Sequence, residues 1–343
     1  MRPRRPKLRD ELITLAHGAG GKATRALVEG LFLEELDNPL LAPLSDSALL
    51  ELNGARLAFT TDSYVVKPIF FPGGDIGELA VNGTVNDLAV AGARPVALSA
   101  GFVIEEGFAV ADLRRIAASM GRAAAAAGVP VATGDTKVVE RGNADGLYVT
   151  TAGIGVVPPE VELGPERVRP GDRVLVSGTI GDHGIAVMVA RGELELEVDL
   201  ESDTASVLAL ALALLELGGA VRWMRDPTRG GLATTLNELA QAADVAVVLD
   251  ETALPLRPAV VGTCEILGID PLYVASEGRL VAVVSAEACD VALAVLQSHP
   301  LGAEAAIVGE VRAEPEGLVL LDTSLGGSRI VDMLVGDPLP RIC

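Results

Sequence analysis

The sequence predicts a two-domain α/β (α+β) protein. Its 343 residues exceed the usual size of one domain, and half of them are hydrophobic, which is enough for two packed cores. Segments with strand and helix patterns alternate along most of the chain, as is typical of layered sheets and helices. Prolines at positions 158, 159, 165 and 170 interrupt this alternation and indicate a linker, so we place the domain boundary near residue 160.

In the first half, two predicted strands lead directly into charged residues. Residues 57–61 form a predicted strand with Asp62 at its end, and residues 129–132 form another that leads into Asp135 and Lys137. Carboxylates at strand ends are well placed for a site. The other elements predicted for this half are strands at 96–104 and 147–157 and a helix at 110–128.

An apolar helix is predicted for residues 76–91, with Asp75 as its N-cap. It carries Asn82, Asn86 and Asp87 among Ala, Val and Leu. Burying an unpaired carboxylate costs several kcal/mol. We therefore expect either a hydrogen-bond network or a cation to satisfy Asp87.

Two glycine-containing loops precede predicted helices. Gly20 and Gly21 allow close approach of a ligand, and their N–H groups suit phosphate, although such clusters are more often plain turns. Asp226 and Arg229 precede the helix predicted for 232–242, where they suit anion binding or merely form a cap and an ion pair. The other elements predicted for the second half are strands at 173–176, 245–249, 280–284, 306–311 and 318–321 and helices at 203–217, 258–267 and 287–297.

Charge excludes two classes of partner. A net charge of −20 argues against nucleic acid and against an anionic membrane surface, and the longest apolar run, 205–215, is too short to span a bilayer. The basic leader is predicted to be a solvated arm, because Asp10 and Glu11 interrupt the apolar stretch that a signal peptide needs. Its basic residues are Arg2, Arg4, Arg5, Lys7 and Arg9.

Three cysteines without CxxC spacing fit neither a disulfide framework nor a zinc site, so a reducing cytoplasm is the expected compartment. Cys264 and Cys289 have apolar neighbours and are predicted core residues. Cys343 follows a segment that has the composition of a tether, and residues 331–343 reach at most about 45 Å when extended. The alternatives for Cys343 are a frayed, inert end and a delivered functional thiol.

The carboxylates of the first half predict a nucleotide site. Converging carboxylates repel one another unless cations lie between them, and hard oxygen ligands favour Mg²⁺ bridging to phosphates. Taken singly, each aspartate fits a structural role better. Together with the glycine loop they predict a Mg-ATP site outside the P-loop class, in which Lys137 or Arg229 neutralises phosphate charge. The predicted metal ligands are Asp46, Asp62, Asp87 and Asp135.

Six motifs together resemble the HypE family of hydrogenase maturation proteins, also called carbamoyl dehydratases. Most of them are shared with the wider superfamily of aminoimidazole ribonucleotide synthetase (PurM-like), thiamine-phosphate kinase and selenophosphate synthetase, and the PRIC ending is the specific one. The motifs are HGAGGK (17–22), VNGTVND (81–87), TGDTKVV (133–139), GDHG (181–184), DPTRGG (226–231) and PRIC (340–343).

The resemblance implies a PurM-like fold and a reaction. Two copies would pair the sheets of their N-terminal domains in a homodimer, with ATP near the interface. A HypF-type carbamoyltransferase would load Cys343, this protein would dehydrate the S-carboxamide to a thiocyanate with Mg²⁺ and ATP, and HypC- and HypD-type proteins would pass the cyanide to the iron of a [NiFe] hydrogenase. The implied regions are a basic leader (1–12), an ATP-binding domain (13–160), a C-terminal α/β sandwich domain (161–330) and a mobile tail (331–343).

The resemblance also implies residue roles. Glu277 is the expected base for the carboxamide nitrogen, or alternatively only a partner of Arg279, and Lys137 is expected to stabilise developing charge. The early metal loop departs from the superfamily, because Asp46 lies between two serines where adjacent acidic residues are expected. The implied nucleotide-binding set is Gly20, Gly21, Asp46, Asp62, Asn86, Asp87, Asp135, Asp226 and Arg229.

Two other readings remain open from the residues. One is an ATP-dependent kinase or synthetase that acts on a free small molecule, for which Cys343 is dispensable. The other is a carrier or docking protein whose tail only receives a group, with the aspartates structural.

Overall fold

The computed structural model describes residues 8, 10–36, 38–192, 196, 198–336, 339 and 342–343. The basic residues of the predicted leader, together with Pro340 and Arg341, lie outside this set.

The first half of the chain forms a mixed five-stranded sheet and a two-stranded ribbon. Their strands are β1 (Ala48–Leu52), β2 (Ala55–Tyr64), β3 (Phe70–Phe71), β4 (Gly74–Asp75), β5 (Arg94–Glu105), β6 (Val131–Val139) and β7 (Leu147–Val157). The sheet order is β1-β2-β7-β5-β6, and β5 and β6 are its parallel pair. The strand β6 therefore forms one edge.

One helix of this half, α3 (Ile76–Val90), is buried along nearly its whole length, as its mostly apolar and small residues allow. It packs against β2 and β7 of the first half and against elements of the second half. The side chain of Asp75 accepts hydrogen bonds from the N–H groups of Gly77 and Glu78, which confirms the predicted N-cap. The helices are α1 (Lys22–Leu27), α2 (Leu33–Glu35), α3 (Ile76–Val90) and α4 (Val110–Ala127).

The second half forms a seven-stranded sheet with helices packed on it. The sheet order is β14-β13-β10-β12-β8-β11-β9, from β8 (Arg173–Val176), β9 (Val221–Arg225), β10 (Ala246–Asp250), β11 (Val281–Val284), β12 (Ala306–Arg312), β13 (Val319–Asp322) and β14 (Ser328–Ile330). All four residues of β11 are buried, as expected for an apolar strand covered on both faces. The helices are α5 (Asp182–Ala190), α6 (Leu208–Leu215), α7 (Gly231–Ala243), α8 (Pro258–Leu267) and α9 (Cys289–Gln297).

Two predicted strand ends are wrong. The strand β2 continues to Tyr64 because Asp62 pairs with Thr151 of β7, so Asp62 lies inside the strand. Likewise β6 continues to Val139, and Asp135 pairs with Gly101. In both cases the neighbouring strand extends the ladder past the residue at which the local pattern stops.

The second half also departs from prediction at four places, one of which is the helix α5, which was not predicted. The helix predicted from residue 203 begins only at Leu208, because the preceding main chain is held by side chains and by the first half: Asn86 Oδ1 accepts from Val207 N–H at 2.8 Å. The strand β14 follows the strand predicted to be last. The strand β9 was not predicted.

The cysteine and membrane predictions have direct structural counterparts. Cys264 and Cys289 are buried free thiols in the core, as predicted. Within the described residues, no helix combines the length and apolar character needed to cross a bilayer.

Candidate functional site

Three aspartates from both halves of the chain converge at the site. Asp46 lies in the loop before β1, Asp87 in the last turn of α3, and Asp226 directly after β9. One carboxylate oxygen from each lies within 4.8 Å of the other two. Two of these three were predicted as metal ligands, and the third, Asp226, was predicted as nucleotide-binding only.

Burial and mutual repulsion make this trio unstable when charged. Burial, with the neighbouring carboxylates adding to it, raises the pKa of Asp226 to about 8 and that of Asp87 well above its ordinary value. Burial also raises the pKa of Asp46, although Arg225 opposes this. A divalent cation bound between hard oxygen ligands would remove the repulsion, so the donor set fits Mg²⁺.

Arg225 connects Asp46 to a second carboxylate. Its guanidinium lies 2.7 Å from Asp46 Oδ1 and 2.9 Å from Glu238 Oε2. Arg225 therefore helps to hold the Asp46 carboxylate in place. Sequence reasoning did not assign this role, and the only local signal is a cation immediately before Asp226.

Asp62 lies beside the trio in a hydrogen-bonded group. Tyr64 donates its hydroxyl to Asp62 Oδ2 at 3.1 Å, and Thr60 donates to Asp87 Oδ2 at 2.6 Å. Burial is the main cause of the raised pKa of Asp62, and Asp46 adds to it. The helix accommodates Tyr64 only because Gly83 has no side chain: a Cβ there would lie 2.0 Å from the hydroxyl.

Glu277 is buried near the same carboxylates with an unpaired oxygen. Its Oε1 has no hydrogen-bond partner within the described chain, although its main chain is held by Asp203 and Asn86. Burial raises the pKa of Glu277 well above its ordinary value, and Asp226, Asp203 and Asp62 add to the rise. An unpaired buried carboxyl is a strong candidate for a group that exchanges protons with a bound molecule.

The side chain of Asn86 is occupied by the protein itself. Its Nδ2 donates to the carbonyl oxygens of Ala205 and Glu277, both at 3.0 Å. Its predicted part in nucleotide binding remains a prediction. The observed bonds hold the main chain at Ala205 and at Glu277 against α3.

The end of the chain is folded inward against this site. The N–H of Val65 donates to the main-chain oxygen of Cys343 at 3.1 Å, and Ile342 is buried. Burial raises the pKa of the Cys343 thiol to about 12, with Glu277 and Asp62 adding to the rise and Arg229 opposing it. The thiol is therefore protonated in this pose. A cavity of about 130 Å³ borders it and is lined by Leu15, Gly18, Ala19, Val65, Arg229, Gly230, Tyr273, Leu334, Leu339, Ile342 and Cys343.

The glycine loop of residues 17–22 packs against both Arg229 and the tail. The Arg229 guanidinium donates to the carbonyl oxygen of Gly18 at 2.8 Å. A Cβ at Gly20, whose φ is +80°, would lie 2.6 Å from the Arg229 carbonyl oxygen, and one at Gly21 would lie 2.2 Å from that of Leu334. Glycine is therefore required at both positions by close contacts within the protein.

Asp135 and Lys137 lie away from the acidic trio in this chain. They sit on the edge strand β6, both largely exposed, with Lys137 Nζ 2.7 Å from Asp135 Oδ2. Contacts within a single copy therefore do not explain the roles predicted for these two residues in metal binding, nucleotide binding and catalysis.

The two halves match two family models. Residues 44–157 match the N-terminal domain and residues 169–321 the C-terminal domain of AIR synthase related protein. The chain is thus an AIR synthase related protein, which is the PurM-like fold class. The thiamine-phosphate kinase structure described as AaThiL complexed with AMPPCP and TMP shares this fold at 21% identity and a TM-score of 0.68, covering 91% of this chain and 96% of that one.

Closer relatives define the family within that class. "Carbamoyl dehydratase HypE" of Rhodobacter capsulatus is 57% identical over 98% of this chain and 99% of its own length, and that of Escherichia coli is 47% identical over 96% and 99%. A crystal structure of hydrogenase maturation protein HypE in complex with ATP has a TM-score of 0.81 and 48% identity, covering 97% of this chain and 100% of that one. The chain belongs to the HypE carbamoyl dehydratase family.

Proposed function

We propose that this protein is an ATP-dependent carbamoyl dehydratase that converts an S-carbamoyl group on its own Cys343 into a thiocyanate. The product supplies cyanide for the iron of a [NiFe] hydrogenase during maturation. The observation that carries the proposal is the inward tail, which brings Cys343 close enough to Glu277, Asp62 and Arg229 for their charges to act on its thiol. The family relationship gives the reaction class.

The acidic trio is the proposed Mg²⁺ site, with Asp62 beside it. Magnesium bound there would neutralise the phosphates of ATP and orient them. ATP binding is supported by the ATP complex of the 48% identical HypE. Arg229 and the N–H group of Gly21 are the candidate contacts of this chain for the phosphates, whereas the N–H of Gly20 donates to Thr24 Oγ1 at 2.9 Å and would have to exchange that bond to take its predicted part.

Dehydration removes one oxygen and two protons from the carboxamide. Transfer of the terminal phosphoryl group of ATP to the carboxamide oxygen replaces a poor leaving group with phosphate. Loss of both nitrogen-bound protons and departure of phosphate then leave the carbon–nitrogen triple bond on sulfur. Glu277 is the proposed proton acceptor, because its raised pKa makes its carboxylate, once ionised, a stronger base than an ordinary one.

Loading of the thiol requires a different tail position. A thiol with a pKa of about 12 is a poor nucleophile at neutral pH, so we place carbamoylation of Cys343 in an outward pose at a HypF-type carbamoyltransferase. A crystal structure of a HypE–HypF complex has a TM-score of 0.86 and 46% identity to this chain, covering 90% of it and 100% of that chain, and it supports this partnership. HypC- and HypD-type proteins are the proposed acceptors of the cyanide group.

A homodimer is the proposed assembly. The face of the first sheet opposite α3 exposes Phe59 and Val156, which are apolar, and the same face carries Asp135 and Lys137. A second copy packed there would cover the apolar side chains and place the charged pair at the subunit interface. In this proposal, Asp135 acts as a metal ligand and Lys137 as a catalytic cation only in the assembled dimer.

The cytoplasm is the proposed compartment. All three cysteines are free thiols, and free thiols persist in a reducing environment.

The decisive experiment follows the mass of the protein after loading. Carbamoylated protein incubated with Mg-ATP is expected to lose the mass of one water, and Cys343→Ala is expected to abolish both loading and this loss. Cys264→Ala is the matched control, because that thiol is buried in the core and takes no part. Full turnover of a free small molecule by Cys343→Ala would overturn the proposal in favour of a kinase or synthetase.

A further inference from the structure

His183 contacts the tail one residue before the thiol. It lies in the first turn of α5, is fully buried, and its Nε2 is 2.6 Å from the carbonyl oxygen of Ile342. Its Nδ1 is 2.8 Å from the hydroxyl of Ser202. A carbonyl oxygen only accepts hydrogen bonds, so we assign the ring proton to Nε2 and let Nδ1 accept from Ser202.

Two further contacts surround His183 and its neighbour Gly184 in the first turn of α5. A Cβ on Gly184 would lie 2.6 Å from Val274 Cγ1, so Val274 requires glycine there, while Leu339 Cδ1 of the tail would lie at an ordinary contact distance of 3.4 Å. Phe71 packs edge-on against the imidazole, with ring centroids 5.5 Å apart. Ser202 and Phe71 thus orient the imidazole, and its Nε2 faces the tail.

Burial keeps this imidazole neutral. It lowers the pKa of His183 to about 4, so at neutral pH the ring carries one proton, as the bond to Ile342 needs. The contact is therefore a neutral hydrogen bond in a dry site. Losing such a bond, with the carbonyl left unpaired, changes an equilibrium by about tenfold.

We infer that His183 is a positioning residue that holds the Ile342 carbonyl and thereby keeps Cys343, with the group it carries, in the inward pose. The N–H of Val65, bonded to the main-chain oxygen of Cys343, is the second anchor. The two contacts flank the thiol-bearing residue and set where its side chain lies. We call the hydrogen bond from His183 to the Ile342 carbonyl the latch. The chemistry that the inward pose serves rests on the proposed function, but the latch does not.

The test measures how fast a small alkylating reagent labels each cysteine of the full-length protein without ATP. His183→Phe retains a flat ring but removes the N–H donor, so Cys343 is expected to be labelled about tenfold faster than in the parent. Cys264 and Cys289 are internal controls, because they are buried and stay unlabelled while the fold is intact. Labelling of all three at one rate would mean unfolding rather than tail release and would overturn the inference for this variant.

Two further variants make the result specific. His183→Gln offers an amide donor to the Ile342 carbonyl and is expected to return labelling of Cys343 toward the parent rate. Ser202→Ala removes the partner of Nδ1 and is expected to accelerate labelling by a smaller factor. If Cys343 is labelled at the parent rate in a folded His183→Phe protein, the latch does not exist.

A second readout separates the latch from the proposed reaction. In single-turnover dehydration of carbamoylated protein, His183→Phe is expected to lower the rate about tenfold with the affinity for ATP unchanged. If no variant, including the parent, forms thiocyanate, the proposed function fails while the labelling result still decides the latch. A normal dehydration rate together with fast labelling would show that the latch does not position the group for reaction.

Discussion

Burial sets the chemistry of each ionisable side chain at this site. Asp226 and Glu277 hold raised pKa values because water is excluded and other carboxylates lie near, whereas the exposed Asp135 beside Lys137 has a lowered pKa. A carboxyl group is thus a proposed metal ligand at Asp226, a proposed proton acceptor at Glu277 and a surface ion-pair partner at Asp135, according to its surroundings.

At the residue scale, Glu277→Gln tests the assignment of the base. The amide fills the same volume but accepts no proton, so we expect ATP to bind with parent affinity while thiocyanate formation falls by at least about a hundredfold. Glu251→Gln is the control, since that carboxylate bonds Ser324 and has no part in the site. Thiocyanate formation at the parent rate in Glu277→Gln would rule out Glu277 as the base.

At the element scale, the geometry of α3 depends on residues without side chains. Gly83 gives the hydroxyl of Tyr64 its space, and that hydroxyl in turn bonds Asp62. The helix therefore approaches β2 closely enough for Thr60 to reach Asp87. An apolar helix with a larger residue at this position would hold its polar face too far from the strand.

Gly83→Ala is accordingly expected to destabilise the protein by about 1–3 kcal/mol, since the new methyl would overlap the Tyr64 hydroxyl. Adding Tyr64→Phe removes that oxygen and should recover most of the loss. Gly121→Ala in α4 is the matched control: nothing lies within 4 Å of its Cβ position, so no destabilisation is expected. Denaturant unfolding is measured for the parent and for four variants, which include Tyr64→Phe alone. Equal costs for Gly83→Ala with and without Tyr64→Phe would contradict the assigned clash.

At the scale of the whole molecule, the site is built where the two halves of the chain meet. Asp46 and Asp87 come from the first half and Asp226 from the second. A cation bound between them would therefore tie the halves together. The tail adds to the same junction, because Ile342 contacts His183 while the oxygen of Cys343 contacts Val65.

Magnesium is therefore expected to raise the thermal stability of the whole protein. At a concentration about a hundred times the dissociation constant, the gain in the free energy of unfolding is about 2.7 kcal/mol, and Asp226→Asn should reduce it strongly.

The pH dependence of stability is a second prediction for Asp226. Because the folded pKa of Asp226 is about 8, above its unfolded value, the metal-free protein loses stability as pH rises from about 4 to about 8. Asp226→Asn should flatten this loss. Thermal melts at several pH values, with Asp250→Asn as an exposed control, measure both effects. An identical Mg²⁺ response in parent and Asp226→Asn would exclude Asp226 as a ligand.

The local sequence was sufficient to predict those helices whose first or last turn carries a capping residue. Asp75 caps the start of α3, and α4 ends at Ala127 with Gly128 as its C-cap, whose φ of +68° suits glycine. The strands β2 and β6 ran past their predicted ends because β7 and β5 supply partners that no local window contains. The limits of the four regions, including the division at residue 160, remain predictions.

The sequence by itself determined the family, the alternation of strands and helices and the candidate set of acidic, glycine and cysteine residues, because motifs and periodicity are local properties. Tertiary structure alone decided which carboxylates meet: Asp226 joined Asp46 and Asp87, and Asp135 did not. It also decided that Cys343 lies inward with a protonated thiol and that His183 faces the tail. The physical reason is that burial, charge proximity and hydrogen-bond reach depend on distances between segments far apart in the chain.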